Sequence, residues 1–144
     1  MLIKQILANK VGGKIATVTP DTSVSDAAHV LSSHKIGALV VSKVGTDVAG
    51  ILSERDIVRE LGKRGSGCMN DKVSDLMTSN IVTTTADQTA ESVLAQMTSK
   101  RFRHMPVMEG NEMIGIVSIG DIVSARLSEI STEKDALQSM IMGH

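Results

Sequence analysis

Gly50-Ile51-Leu52-Ser53-Glu54-Arg55-Asp56 returns 65 residues later as Gly115-Ile116-Val117-Ser118-Ile119-Gly120-Asp121. In each copy a glycine opens a short apolar run. A serine followed three residues on by an aspartate closes it, which is the Ser-x-x-acid spacing of a helix N-terminus. A strand-to-helix junction is therefore written twice, and a duplicated unit constrains the architecture more tightly than any local propensity does.

Upstream of the motif the correspondence continues with an offset of 66. Thr19-Pro20-Asp21-Thr22-Ser23-Val24 matches Thr85-Ala86-Asp87-Gln88-Thr89-Ala90, and Ile36-Gly37-Ala38-Leu39-Val40-Val41 matches Phe102-Arg103-His104-Met105-Pro106-Val107. The one-residue change of register falls in Ser42-Lys43-Val44-Gly45-Thr46-Asp47, which reads as a hairpin turn, where length changes are tolerated. Within a copy the order is short strand, helix, strand, turn, strand, helix. The first helix spans about Ser25–Ser33 behind the capping box Ser23-Val24-Ser25-Asp26. Apolar runs Ala38–Val41 and Val48–Leu52 form strands, and Glu54–Leu61 forms a helix that stops at Gly62. The second copy places a helix at Glu91–Lys100, strands at Met105–Met108 and Met113–Val117, and a helix from Gly120 onward. The predicted fold is α/β (α+β): two β-α-β-β-α repeats packed about an approximate twofold axis. Residues 1–64 hold an N-terminal segment and the first repeat, 65–72 a linker, 73–126 the second repeat, and 127–144 a helical tail.

A half of about 60 residues buries too little surface to stand comfortably alone, so the halves should fold against each other. Hydrophobic residues make up 42% of the 144-residue chain, but Phe102 is the only aromatic, so a bound base would meet aliphatic walls. Fifteen Lys and Arg against sixteen Asp and Glu give a net charge of -1, with Lys100-Arg101-Phe102-Arg103-His104 the one basic block. That balance argues against a broad nucleic-acid surface. The N-terminus turns polar too soon for a signal peptide, and no apolar run reaches the roughly 20 residues of a membrane helix, so a cytoplasmic protein is expected. The single cysteine, Cys68, lies in what reads as a flexible linker and excludes an internal disulfide. His29, His34, His104 and His144 lack zinc-site spacing, and no metal is expected.

The paired Gly-to-Asp motifs, together with Lys35-Ile36-Gly37-Ala38-Leu39-Val40-Val41 and Arg103-His104-Met105-Pro106-Val107, resemble the tandem CBS (cystathionine β-synthase-type) domain family, also called Bateman modules, in its small stand-alone bacterial form. The resemblance runs from about Ile15 to Ile122. It implies CBS-type repeats that bind an adenosine-containing ligand (AMP, ADP, ATP, S-adenosylmethionine or a dinucleotide such as NAD(H)) in grooves between them. It also implies that Asp56 and Asp121 accept hydrogen bonds from ribose hydroxyls, that Ser53 and Ser118 lie near ribose and phosphate, and that modules pair into a homodimer.

The residues carry local readings of their own. An ionised carboxylate is an acceptor only, so Asp56 and Asp121 suit a diol, and both also satisfy the capping box that any soluble protein uses. Gly50 and Gly115 offer close backbone approach or simply leave a hairpin. Arg103 and His104 stand where the first copy has Gly37 and Ala38, so the grooves should differ. The groove with His104, Ser118 and Asp121, joined by Thr17, Val18 and Thr19 from the other repeat, is expected to be the better phosphorylated-ligand site. Asp121→Ala is accordingly expected to harm binding more than Asp56→Ala. Pro106, next to Met105, removes a donor and leaves carbonyls for an adenine edge. Thr83 and Thr84 could serve the opposite groove or simply favour strand.

In the tail, Val123, Leu127, Ile130, Leu137 and Ile141 fall at three-four spacing broken by Lys134, suggesting one helix or two with an apolar face. That face should be covered by Ile3, Ile6 and Leu7 or by a second subunit, and homodimerisation is favoured. The chain contains no Ser/His/Asp constellation, Walker loop or paired metal ligands, so an enzyme is not expected. The expected function is a regulatory sensor that signals to a separate effector protein. The alternative is a structural or polynucleotide-binding protein with vestigial grooves.

Overall fold

The computed structural model describes residues 1–10 and 15–142. Each repeat is a small sheet faced by two helices, and the elements follow the duplicated motif closely. In the first repeat, β1 (Thr17–Val18) runs parallel to β2 (Ala38–Val41), which pairs antiparallel with β3 (Gly50–Ser53). Three of β3's four residues and all of β2 are buried, which is why both read as continuous apolar runs rather than as alternation. In the second repeat, β4 (His104–Glu109) pairs antiparallel with β5 (Glu112–Ser118), with a register shift after Val107. The counterpart of β1 shrinks to a single parallel bridge between Thr84 and Val107.

The helices begin where serine, threonine or the motif places a cap. Let α1 be Ile3–Asn9, α2 Val24–His34, α3 Glu54–Arg64, α4 Val73–Leu76, α5 Ala90–Lys100 and α6 Ile119–Ile141. Ser23 Oγ accepts from Asp26 N at the start of α2, and Thr89 Oγ1 accepts from Ser92 N at the start of α5. Both helices end on a left-handed residue that is not glycine, Lys35 (φ 53°) and Arg101 (φ 59°). The expected hairpin turn is held by Asp47, whose carboxylate accepts from Ser42 Oγ and from the amides of Lys43 and Val44.

Two expectations need correction. Gly62 does not end α3. The helix runs through it to Arg64, supported by the Glu60–Arg64 ion pair at 2.8 Å, and stops at Gly65 (φ 72°). The segment read as a flexible linker is a 3-10 helix over Gly65–Asn70 that buries Cys68 completely. Of the two readings left open for the tail, the structure has the single helix: α6 runs unbroken for 23 residues, from Ile119 to Ile141.

The cores show how the halves are joined. The first comprises Val18, Val24, Ala27, Leu31, Leu39, Val41, Leu52 and Ile57 together with Val73 and Leu76 from α4, the helix that precedes the second repeat. The second comprises Ala90, Val93, Met97, Met105, Val107, Val117, Ile122 and Ala125 together with Ile3 and Ile6 from α1, the helix that precedes the first. Each repeat thus borrows the lead helix of the other. Equivalent backbone links fix the exchange: Ile3 N donates to Gln88 O, and Val73 N donates to Thr22 O. Sequence order and spatial grouping therefore differ: α1 packs with the second repeat and α4 with the first.

Candidate functional site

Ser53 ends β3 and caps α3. Its Oγ accepts from Asp56 N at 3.2 Å, while Ser53 N donates to Asp56 Oδ2 at 2.9 Å. Ser118 and Asp121 repeat the arrangement at 3.1 and 2.9 Å. The capping role is therefore present in both copies. It does not exhaust either carboxylate, and each junction opens onto a cleft between the repeats.

The first cleft, of about 430 Å³, places Ser53, Glu54, Arg55, Asp56 and Arg59 opposite Thr78, Asn80, Ile81, Val82 and the run Arg101–His104. One wall comes from the start of α3 and the other from the chain entering the second repeat. Asp56 is buried, and its Oδ1 receives Arg59 Nη2 at 2.6 Å. Four guanidiniums line the space against two carboxylates, Glu54 and Asp56, which leaves two positive charges in excess.

The second cleft, of about 530 Å³, places Gly115, Ser118 and Asp121 opposite Ile15, Ala16, His34 and Ile36–Ala38, with Leu7 and Lys10 of the N-terminal segment at one side. Lys10 Nζ lies 2.9 Å from Asp121 Oδ2 and donates to Ile116 O at 2.8 Å. At the matching position of the first repeat, Ile51 exchanges backbone bonds with Thr78, both 2.9 Å. A lysine ammonium thus stands in the second repeat where a backbone strand edge stands in the first. Burial pushes the Asp121 carboxyl up, but the Ser118 amide and the Lys10 ammonium outweigh it and hold it below the usual carboxylate value. His104 borders both clefts, and burial, reinforced by Lys10, lowers its pKa, so the imidazole is neutral at pH 7.

Of the residues singled out in the sequence, Gly37, Ser53, Asp56, Arg103 and His104 line the first cleft, and Gly37, Ala38, His104, Gly115, Ser118 and Asp121 line the second. Arg103, although it belongs to the second repeat, does not line the cleft of Asp121. It faces Asp56, because each cleft joins the helix start of one repeat to the strand entry of the other. Thr17, Val18 and Thr19 lie beyond the second cleft. Ile15 and Ala16 form its wall instead, while Val18 turns into the core. Thr83 and Thr84 give way in the same manner to Asn80–Val82, and Thr84 is buried. Met105 is a core residue, and the Pro106 carbonyl is not free, since it accepts from Thr84 N at 3.0 Å. Gly50 contacts Met77 and Thr78 and lines neither cleft.

The sequence reading missed Lys10, Arg55, Arg59 and Asn80. Arg55 and Arg59 flank Asp56 on its own helix and were legible as neighbours of the motif, whereas Lys10 becomes visible only through the exchange of α1. Among the described residues no group of three or more His, Cys, Asp or Glu is placed to hold a metal, and no helix is long and apolar enough to cross a membrane.

The comparisons with known proteins agree with this architecture. A family model described as CBS domain matches residues 4–63 and again 73–128. The chain is 39% identical over 129 residues to the CBS domain-containing protein CBSX3, mitochondrial, of Arabidopsis thaliana. The match covers 87% of this chain and 63% of that protein. Among solved structures, the CBS-domain containing protein ATU1752 from Agrobacterium tumefaciens superposes with a TM-score of 0.83 at 41% identity, covering 88% of this chain and 99% of that one. The CBS domain pair of protein MJ0100, solved in complex with 5'-methylthioadenosine and S-adenosyl-L-methionine, superposes with a TM-score of 0.78 at 25% identity, covering 90% of this chain and 98% of that one. Two matched segments, two interlocked cores and two equivalent clefts place the chain in the CBS-domain family, as a tandem CBS pair.

Proposed function

We propose that the pair is a regulatory module that binds an adenosine-containing ligand in its inter-repeat clefts and passes the resulting change of arrangement to a separate protein. One observation carries this reading: each cleft has a capped aspartate from one repeat facing the entry strand of the other, so a ligand seated on Asp56 or Asp121 touches both repeats at once. Such a ligand favours whichever relative arrangement it binds better, and only by that difference. The adenosyl ligands named for the MJ0100 pair support the ligand class. The carboxylates suit a ribose diol; Phe102 lines the first cleft, against the aliphatic walls expected from composition, whereas the apolar lining of the second is aliphatic.

Calorimetric titration of the full chain with AMP, ATP, S-adenosylmethionine and NADH tests the reading. At least one should bind saturably, and Asp56→Ala or Asp121→Ala should weaken binding in its own cleft about tenfold or more, the loss expected when a charged acceptor is removed. Absence of saturable binding by all four compounds rejects it.

The module is proposed to act as a homodimer. Val58 and Leu61 on α3 are exposed, as are Val123, Leu127, Ile130, Leu137 and Ile141 on α6. The α6 positions recur by four and three, the spacing of a coiled-coil seam, and Lys134 is the one polar interruption. With a second α6 laid antiparallel so that Leu127 meets Ile130, Arg126 falls beside Glu133 of the other copy in both directions. Sedimentation of Leu127→Asp/Ile130→Asp should show a monomer where the parent chain is a dimer. An unchanged sedimentation coefficient rejects this interface.

A further inference from the structure

The approximate twofold axis supplies an internal control for the charge in the first cleft. Arg55, Arg59 and Arg103 correspond to Gly120, Ser124 and Gly37 of the other repeat by the 65- and 66-residue offsets, and Arg101 corresponds to Lys35. The other half keeps the same strand-to-helix junction, the same capped aspartate and the same left-handed helix end without any of these guanidiniums. The fold therefore does not require them. Among the described residues Arg55, Arg101 and Arg103 form no ion pair, although they come from two separate stretches of chain, the first turn of α3 and the junction of α5 with β4. The second cleft holds one Lys10 paired with one Asp121, has no arginine in its lining among the described residues, and is walled in part by Leu7, Ile15, Ile36, Val40, Ile114 and Ile116.

We infer that the two clefts take different ligands: the Asp56 cleft a nucleoside 5'-polyphosphate, the Asp121 cleft an adenosyl compound that carries no phosphate chain. This division rests on the adenosyl reading above and goes beyond it. Each guanidinium presents a planar fork that meets phosphate oxygens in pairs. The three unpaired forks stand on two walls of one cavity, Arg55 on the first turn of α3 and Arg101 and Arg103 at the junction of α5 with β4, so a di- or triphosphate can meet donors on both walls and each added phosphate gains further charge-assisted contacts. Burying a phosphate chain in the second cleft would leave it with only the ammonium that Asp121 already neutralises. An uncharged adenosyl compound meets apolar walls there and loses nothing.

The experiment titrates the full chain with adenosine, 5'-methylthioadenosine, AMP, ADP, ATP and inorganic tripolyphosphate. It compares Arg101→Gln/Arg103→Gln, which removes both charges and keeps an unbranched polar side chain at the left-handed Arg101, with Asp121→Ala, each checked for an unchanged melting temperature. The expected result is affinity that rises from AMP to ATP by about tenfold or more, the scale of one added charge-assisted contact. The arginine double variant should lose that gain while binding 5'-methylthioadenosine as before, and Asp121→Ala should weaken 5'-methylthioadenosine while leaving ATP unchanged. Equal affinity for AMP and ATP, or ATP binding indifferent to the arginine substitutions, overturns the division even where adenosyl binding itself stands. Arginine-dependent tripolyphosphate binding with no response to any adenine compound supports the polyphosphate cleft and rejects the adenosyl reading instead.

Discussion

Ile3→Asp should unfold the second repeat, although Ile3 precedes the whole of the first. Its side chain is fully buried among residues of the second core. An aspartate there has no partner, and an unpaired buried charge costs several kcal/mol, against a total stability of about 5–15 kcal/mol for a typical domain. The milder Ile3→Ala should cost about 2–5 kcal/mol through lost burial and the cavity left behind. Amide hydrogen exchange in Ile3→Ala locates the damage: protection should fall first in α5, β4 and β5, with α2 and β2 less affected. Exchange that accelerates only within residues 1–9 would show that α1 is an appendage and not part of that core.

The second large effect is a contrast between equivalent glycines. A Cβ at Gly50 would lie 2.8 Å from the carbonyl oxygen of Thr78 and 2.7 Å from Met77 Sδ. Thr78 is held in place by its paired backbone bonds to Ile51, so it cannot retreat without breaking them. A Cβ at Gly115 meets only the branched end of Leu7, at 2.7 and 3.0 Å, and that side chain can turn aside. Gly50→Ala should therefore cost about 1–3 kcal/mol, the range for overpacking, and Gly115→Ala clearly less. Because Thr78 and Asn80–Val82 also wall the Asp56 cleft, Gly50→Ala should weaken ligand binding there as well. Urea midpoints and parallel titrations check both points, and a larger loss for Gly115→Ala would reverse the assignment of rigid and yielding neighbours.

The fold was legible because its decisive signals are local. Ser53 with Asp56, Ser118 with Asp121, and the apolar runs before them state where strands end and helices start. What stayed hidden is relational. The apolar face of α1 says that something covers Ile3 and Ile6, but amphipathicity names no partner, and the partner proved to be the second repeat. The same blindness left Arg103 without a cleft. In sequence it is a residue of the second copy, whereas the crossing of the two repeats brings it to Asp56. Thr17–Thr19 and Thr83–Thr84 erred by a short slide along an entry strand, since the residues that reach each cleft sit just upstream, at Ile15–Ala16 and Asn80–Val82. Gly62 misled for a simpler reason: an exposed glycine weakens a helix by only about 1 kcal/mol, which neighbouring contacts offset.

The exchanged lead helices also set an order of events during synthesis. Once α4 has emerged, the first repeat has every member of its core, from Val18 to Leu76. At that moment Ile3 and Ile6, made before the first repeat, still have no core to join, because Val117, Ile122 and Ala125 have yet to leave the ribosome. Helix α1 is thus made before the first repeat yet docks only with the second, and its apolar face stays exposed in between, a period in which such surface is open to aggregation or to capture by a chaperone.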